Sequence, residues 1–248
     1  MKAKAVSVVG FKDSGKTRVV EALVTELKSR GYSIVSLKHT TEAVPLDTPG
    51  KDTWRHRQAG ASASAILHDK GSALFIEKPM TPYAAAEMLG EHDYIILEGF
   101  KHLNTVSRIL VPKTQEDIEK LSNGLEVAIA NTDSVALNHD SIPIMSLGDS
   151  GRLADLVEER AFPLLPGLNC RGCGYDGCRE LAMAILRGEA GVKDCVMRIS
   201  DVALKVNGKD VPLNRFTRDI LRNVVKGVLE TLKGMEDPKT VELVMNYE

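Results

Sequence analysis

The sequence has no long apolar run, no strong excess of either charge, and no cysteine outside one short segment. No stretch approaches the roughly 18 apolar residues that a membrane-spanning helix needs, so we expect no membrane partner. The formal net charge of −2 argues against a general nucleic-acid binder. Internal repeats and low-complexity tracts are also lacking. With 248 residues, 43% of them hydrophobic, the chain can form one or two domains.

The N-terminus, MKAKAVSVVGF, is basic and then apolar, as in a signal peptide. It is too short for one, and a glycine-rich loop follows at once, so it predicts a first strand and a cytoplasmic protein. Cys170, Cys173, Cys178 and Cys195 all fall within 26 residues. In a cytoplasmic chain such clustering favours metal ligation over disulfides.

The first two thirds of the chain alternates between strand and helix patterns. Strands are predicted at residues 4–9, 33–39, 63–69, 72–78, 93–99, 107–112, 125–131 and 142–147. Helices are predicted at residues 16–30, 81–89, 114–121 and 150–161. This alternation predicts an α/β fold, with a mostly parallel sheet covered by helices on both faces.

We divide the chain into a nucleotide-binding domain (1–161), a linker with a cysteine-rich domain (162–198) and a C-terminal hairpin and helix (199–248). The linker is predicted at 162–169, FPLLPGLN, from its prolines and glycine. The hairpin turns at Asn207-Gly208. The amphipathic helix is predicted at 214–233, with Asn214 as its cap and Gly234 as its end.

Residues 10–17, GFKDSGKT, fit the phosphate-loop pattern in full, through Gly10, Gly15, Lys16 and Thr17. A strand precedes the loop and a helix follows it, as in P-loop nucleotide hydrolases. Such a loop directs backbone N–H groups at phosphate oxygens, Lys16 adds a point charge, and Thr17 offers a hydroxyl to Mg²⁺. We assign the following residues to nucleotide binding: Gly10, Asp13, Ser14, Gly15, Lys16, Thr17 and Arg18.

A carboxylate should stand near the magnesium ion, at the end of a neighbouring strand. Glu98 ends the strongest strand pattern, DYIILEG, and is the candidate for both the metal and, with Lys16, catalysis. Alternatively, Glu98 only caps the next turn. Asp47 and Asp52 are further candidates for reaching the metal through water.

The choice of base depends on a weaker pattern. Asn131 and Asp133, in AIANTD, resemble a degenerate N-K-x-D motif whose aspartate accepts two hydrogen bonds from guanine. The lysine of that motif is absent here. A polar turn is an equally good interpretation, so the residues alone leave GTP and ATP open.

Four segments in order carry a resemblance to a known family: GFKDSGKT, KHT (38–40), PGKDTWRHRQAGA (49–61) and ILEGFKH (96–102). Over roughly residues 1–160 the chain resembles the molybdopterin-guanine dinucleotide biosynthesis protein B family. The resemblance implies a dimeric GTP-binding adapter with weak GTPase activity. Its partners would be the molybdopterin guanylyltransferase and other molybdopterin-handling enzymes. The segment TTEAVPLD (40–47) departs from the family, which often has further histidines there.

The basic segment GKDTWRHR has its own interpretation. Lys51, Arg55, His56 and Arg57 would supply positive charge at the mouth of the phosphate loop, for a triphosphate or a pterin phosphate. Alternatively, these residues form a solvated basic helix.

The cysteines follow the spacing C-x2-C-x4-C-x16-C, with glycines 172, 174 and 177 between them. The glycines would keep Cβ atoms away from the metal and leave N–H groups free for sulfur. Cys178 starts a predicted helix, whose N-terminus favours a thiolate cluster. Four thiolates suit either Zn²⁺ or a [4Fe–4S] cluster.

The segment 170–195 resembles a small iron–sulfur domain found in electron-transfer complexes, which implies [4Fe–4S]. The proline usual after the last cysteine is missing here. Two other functions stay open from the sequence: a P-loop kinase or ligase acting on a small metabolite, and a nucleotide-driven carrier of metals or clusters.

Overall fold

The computed structural model describes residues 2–42, 44–198, 202–211, 213, 215–234, 238 and 240–245. The chain divides into two compact units between Leu164 and Leu165. Among the described residues, no helix is both long and apolar enough to cross a membrane.

The strands are β1 (Lys4–Val9), β2 (Ile34–Lys38), β3 (Ala63–His68), β4 (Gly71–Ile76), β5 (Tyr94–Glu98), β6 (Ser107–Leu110), β7 (Glu126–Asn131), β8 (Ile144–Ser146), β9 (Phe162–Pro163), β10 (Leu204–Val206) and β11 (Lys209–Val211). The α-helices are α1 (Lys16–Ser29), α2 (Asp52–Gln58), α3 (Pro82–Met88), α4 (Gln115–Leu121), α5 (Ser150–Arg160), α6 (Cys178–Leu186) and α7 (Arg215–Leu229). Two 3₁₀ turns, Leu147–Asp149 and Val192–Asp194, complete the described elements.

One sheet organises the first unit, in the order β2-β5-β1-β6-β7-β8. All neighbours along this order are parallel. Every residue of β5 is buried, and successive side chains point to opposite faces of a sheet. Helices must therefore cover both faces, as the alternating sequence pattern predicts.

The hydrophobic core on one face of the sheet is formed by side chains of β1, β5 and α3. Ala5 and Leu97 from the central strands pack in one cluster with Ala86 of α3. Further along the sheet, Val9 of β1 packs with Ile118 of α4. The helix α1 contacts β1 and β5 and also packs against α5. The packing of these helices on the sheet keeps the carboxyl ends of β1 and β5 next to each other.

The predicted linker begins too early. Phe162 and Pro163 form β9, antiparallel to Ala5 and Lys4 of β1, and Leu164 is buried in the first unit's core. The prolines led us to expect a linker there. A proline can occupy such a short edge pairing because its missing N–H need not be part of the ladder.

Two smaller elements lie outside this sheet. The two predicted strands, β3 and β4, form an antiparallel ribbon that turns at Asp69 and Lys70. In the second unit, β10 and β11 form the predicted hairpin, and Asn207 and Gly208 both have positive φ, as a type I′ turn requires. The predicted cap of the last helix, Asn214, lies outside the described residues.

Candidate functional site

The phosphate loop joins the end of β1 to the start of α1. A Cβ atom on Gly10 would lie 2.5 Å from the carbonyl oxygen of Val111, so only glycine fits there. Gly15 has φ +85°, which glycine adopts without strain. The hydroxyl of Thr132 donates a 3.0 Å hydrogen bond to the carbonyl of Ser14. Chain geometry and this contact together keep the loop curled.

Two features of the loop fit a bound phosphate. The ammonium of Lys16 donates to the carbonyl of Phe11, inside the same loop. The hydroxyl of Ser14 is buried and has no hydrogen-bond partner among the described residues. A buried hydroxyl without a partner costs free energy, and phosphate oxygens are suitable acceptors. The loop therefore has the donors that a nucleotide phosphate needs.

Glu98 lies beside this loop because β5 is the direct neighbour of β1, with Val8 paired to Glu98. The hydroxyl of Thr17 donates a 3.0 Å hydrogen bond to Oε1 of Glu98. The ammonium of Lys38 lies 2.9 Å from the same oxygen. A hydroxyl and a carboxylate are the hard oxygen ligands that Mg²⁺ prefers, so this pair fits that ion.

The charges around Lys16 partly oppose one another. Burial lowers the pKa of Lys16, and the nearby ammonium groups of Lys101 and Lys38 lower it further, while Glu98 and Asp13 act in the opposite direction. The hydrogen bond to Glu98 raises the pKa of Lys38. The ammonium groups of Lys16 and Lys38 therefore both contribute to the electrostatic potential at the phosphate loop.

Sequence reasoning did not assign Lys38 to the site. Lys38 is paired with Glu98 across the β2–β5 ladder, so its position depends on strand order. The ammonium of Lys101 lies 4.1 Å from the ring centre of Phe11, in the phosphate loop. No local pattern in the sequence signals either contact.

The candidate base-contact residues follow β7, which ends at the same edge of the sheet. The amide of Asn131 donates to the carbonyl of Val135 at 2.7 Å and accepts from its N–H at 3.1 Å. The carboxylate of Asp133 lies 3.5 Å from the guanidinium of Arg18, in the first turn of α1. Asn131 thus closes its own turn, while Asp133 and Arg18 lie together beside the phosphate loop.

In the basic segment GKDTWRHR, which was predicted to face the phosphate loop, Arg57 pairs with carboxylates of its own surroundings. The guanidinium of Arg57 donates to Asp47 at 2.9 Å and also to Glu77, and it lies over the ring of Phe75. Asp47 also accepts from the hydroxyl of Thr53 at 2.8 Å. The side chains of Arg57 and Asp47 are only 9% and 6% exposed. The predictions of a phosphate contact for Arg57 and a metal contact for Asp47 were wrong, because each group neutralises the other.

The second unit brings the four cysteines to one cavity, with Pro166 and Leu181 also among its lining residues. Cys178 starts α6, as predicted. Among the described residues, no three His, Cys, Asp or Glu side chains converge as a single metal ion requires. Four cysteine sulfurs lining one cavity are a donor set that suits either an iron–sulfur cluster or Zn²⁺.

Backbone N–H groups point at two of the sulfurs. The N–H of Asn169 donates to Sγ of Cys178 at 3.3 Å, and the amide oxygen of Asn169 accepts from the N–H of Cys178 at 2.9 Å. Burial raises the pKa of Cys195, while hydrogen bonds from the backbone of Met197 and Arg198 oppose this rise. Such donors stabilise the thiolate form that binds metals.

Among the described residues, the backbone donors to Cys178 and Cys195 are Asn169, Met197 and Arg198, none of which is a glycine. Gly172 instead makes room for Val196, because a Cβ atom on Gly172 would lie 2.7 Å from that side chain. This close approach is next to Cys195, the most distant of the four cysteines in the sequence. The glycine therefore lets the last cysteine reach the other three.

Two family models of known proteins match this chain, one over each unit. Residues 5–133, more than half of the chain, match the family model described as "Molybdopterin guanine dinucleotide synthesis protein B". The chain belongs to this family. Residues 165–197, which contain all four cysteines, match a second model, described as "Putative Fe-S cluster".

The family match extends to individual relatives. A Methanocaldococcus jannaschii protein, named "Putative molybdopterin-guanine dinucleotide biosynthesis adapter protein", is 31% identical over 97% of this chain and 96% of its own. The crystal structure of Bacillus subtilis MobB covers 63% of this chain and 96% of its own, with a TM-score of 0.53 and 27% identity. The archaeal relative thus shares both units, whereas the Bacillus structure matches a part the size of the first.

The chain also matches proteins of a different kind over a short stretch. A Cereibacter sphaeroides protein, named as a component of an ion-translocating oxidoreductase complex, is 54% identical over 56 residues, 23% of this chain and 28% of its own. This match covers only a short part of both chains.

Proposed function

We propose that this protein is a GTP-binding adapter in molybdenum or tungsten cofactor biosynthesis, which assists the formation of molybdopterin guanine dinucleotide. The observation that carries the proposal is the phosphate loop with Thr17 bonded to Glu98, in a chain matched along its length by a relative named as such an adapter. Its partners are the molybdopterin guanylyltransferase and other molybdopterin-handling enzymes.

In this proposal GTP places its phosphates on residues 10–17, and Mg²⁺ is held by Thr17 and Glu98. Asp133, beside Arg18, is the candidate for guanine contact. We expect hydrolysis to be slow, since neither a trans-acting arginine nor a water-positioning glutamine is evident in the sequence. An arginine finger is a main source of rate enhancement in such enzymes.

The four cysteines bind a [4Fe–4S] cluster. When bound, the cluster supplies one-electron chemistry or a structural staple, and the N–H groups of Asn169 and Met197 stabilise the thiolates that hold it. Anaerobic purification followed by absorbance and EPR spectra, with iron, sulfide and zinc analysis, tests this assignment. Zinc without sulfide would contradict it.

We also propose a cytoplasmic homodimer. The ribbon β3–β4 supports the dimer, because Leu67 and Leu74 are 81% and 56% exposed on it. Apolar residues on a protruding ribbon are favourable contact points for a second copy. The clustered free cysteines suit the reducing conditions of the cytoplasm.

Replacing Lys16 by Ala tests the nucleotide site. We expect Lys16→Ala to abolish GTP binding, measured with a fluorescent analogue, because the loop loses its phosphate charge. The absorbance of the cluster should stay intact, since the cysteines lie in the other compact unit. Lys28→Ala, at the exposed far end of the same helix, serves as the control and should bind GTP normally. Loss of cluster and nucleotide together would contradict two independent modules.

A further inference from the structure

Three lysines from three different elements surround the phosphate loop. Lys16 begins α1, Lys38 ends β2, and Lys101 lies in the loop after β5. Since β2, β5 and β1 are adjacent parallel strands, these positions meet at the carboxyl edge of the sheet. Phosphate-loop chemistry accounts for Lys16 alone, so the other two need an explanation.

Lys38 and Lys101 have contacts that a nucleotide can replace. The side chain of Lys38 is 62% exposed and shares one oxygen of Glu98 with Thr17. The ammonium of Lys101 rests over the ring of Phe11 and makes an exposed cation–π contact, which is a weak interaction. A phosphate is a much stronger partner for an ammonium than an aromatic ring is.

The backbone of Lys101 is held in place by a buried cation. Arg108, only 2% exposed, donates from Nη2 to the carbonyls of Lys101 and Leu103, at 3.1 and 2.7 Å. Gly99 and Phe100, just before Lys101, both have positive φ, at 89° and 54°. A bulky residue in this conformation is strained, and surrounding structure must maintain it. The loop is therefore built to present Lys101 at this position.

We propose that Lys38 and Lys101 bind the terminal phosphate of a nucleoside triphosphate, and so make the site selective for triphosphate over diphosphate. This inference rests on the proposed GTP binding. Lys16 reaches the β- and γ-phosphates and so keeps a partner in either nucleotide, whereas the two additional ammonium groups act on the γ-phosphate, which only the triphosphate carries. In this role they are binding residues that couple the loops after β2 and β5 to the state of the nucleotide.

The test compares GTP and GDP affinity in the full-length protein, using fluorescent analogues in the presence of Mg²⁺. We expect Lys101→Gln and Lys38→Gln each to weaken GTP binding by about tenfold, as the loss of one charged hydrogen bond predicts, with little change for GDP. Lys70→Gln, in the exposed turn of the ribbon, removes the same charge elsewhere and should alter neither affinity. Thermal melting of each variant checks that the fold is unchanged.

Two results would overturn the inference while leaving the proposed function in place. One is an unchanged affinity for both nucleotides in both variants, and the other is an equal loss for the two nucleotides, which would indicate only general electrostatic attraction. If the unmodified protein bound neither nucleotide, the proposed function would fail together with this inference.

Discussion

Glu98 contacts two other residues, Thr17 and Lys38, through a single oxygen atom. Thr17 donates to Oε1 of Glu98 and Lys38 lies 2.9 Å from it, so both depend on the charge of this carboxylate. Aspartate is commoner at this position in phosphate-loop proteins. The longer glutamate side chain still reaches Thr17, because Glu98 is directly opposite Val8 in the neighbouring strand.

Replacing Glu98 by Gln should expose its role in metal binding. The amide can still accept from Thr17 but loses the charge that favours Mg²⁺. We expect GTP affinity in Mg²⁺ to fall by about tenfold, while affinity in EDTA stays close to that of the unmodified protein. Fluorescent titrations with and without Mg²⁺ measure this. The same metal dependence in Glu98→Gln and the unmodified protein would show that Glu98 only caps the following turn.

At the level of elements, β9 shows that a proline-rich stretch can complete a sheet. Phe162 pairs with Ala5 and is buried, and Leu164 is 1% exposed in the same core as Ala3. The alternation of Phe162 and Leu164 puts both apolar side chains where burial stabilises them. The first unit therefore continues beyond α5.

Replacing Leu164 by Ala tests that contribution. We expect it to lower the free energy of unfolding of the first unit by about 2–5 kcal/mol, the usual effect of a buried leucine-to-alanine change. Chemical unfolding followed by circular dichroism measures the change. Leu168→Ala, at a leucine that is 45% exposed, is the matched control and should have little effect. Equal effects of the two substitutions would mean that residue 164 belongs to a linker after all.

The ribbon β3–β4 is the element on which dimer formation should depend. We expect Leu67→Lys to weaken the homodimer by about tenfold or more, because a charged group replaces apolar surface at the contact. Analytical ultracentrifugation over a range of concentrations measures this. Leu46→Lys, at a leucine that is 75% exposed outside the ribbon, is the control. A dimer of undiminished strength in Leu67→Lys would place the interface elsewhere.

At the level of the whole molecule, the chain joins two units with different relatives. The first carries the family's nucleotide loop, and the second holds the four cysteines and matches a separate family model. The archaeal relative contains both over almost its whole length. The combination is therefore not unique to this chain, although each unit has its own chemistry.

A cysteine substitution should separate the two units functionally. We expect Cys173→Ser to remove most of the cluster absorbance, because a hydroxyl is a poor ligand for iron in such clusters. GTP affinity should change by less than about twofold, since none of the nucleotide contacts lies in the second unit. Absorbance spectra and nucleotide titrations on the same preparation measure both. A large loss of GTP affinity would instead reveal coupling between cluster and nucleotide.

Several features were predictable because they depend on neighbouring residues. The phosphate loop and the hairpin at Asn207-Gly208 both follow from short patterns, and the structure contains each of them. The position of Glu98 was also predictable, because it ends a strongly apolar strand. The linker prediction was wrong since proline and glycine mark a local irregularity but do not show what the neighbouring residues pack against.

The sequence by itself determined the local chemistry: a curled loop for phosphate, a strand-end carboxylate, and four cysteines at ligand spacing. Tertiary structure alone decided which distant groups join them. Lys38 meets Glu98 because β2 pairs with β5, and Lys101 reaches Phe11 because Arg108 holds its loop. Arg57 turns to Asp47 and Glu77, away from the role predicted for it. The physical reason is that charged side chains take the nearest partner in space, and strand order sets that neighbour.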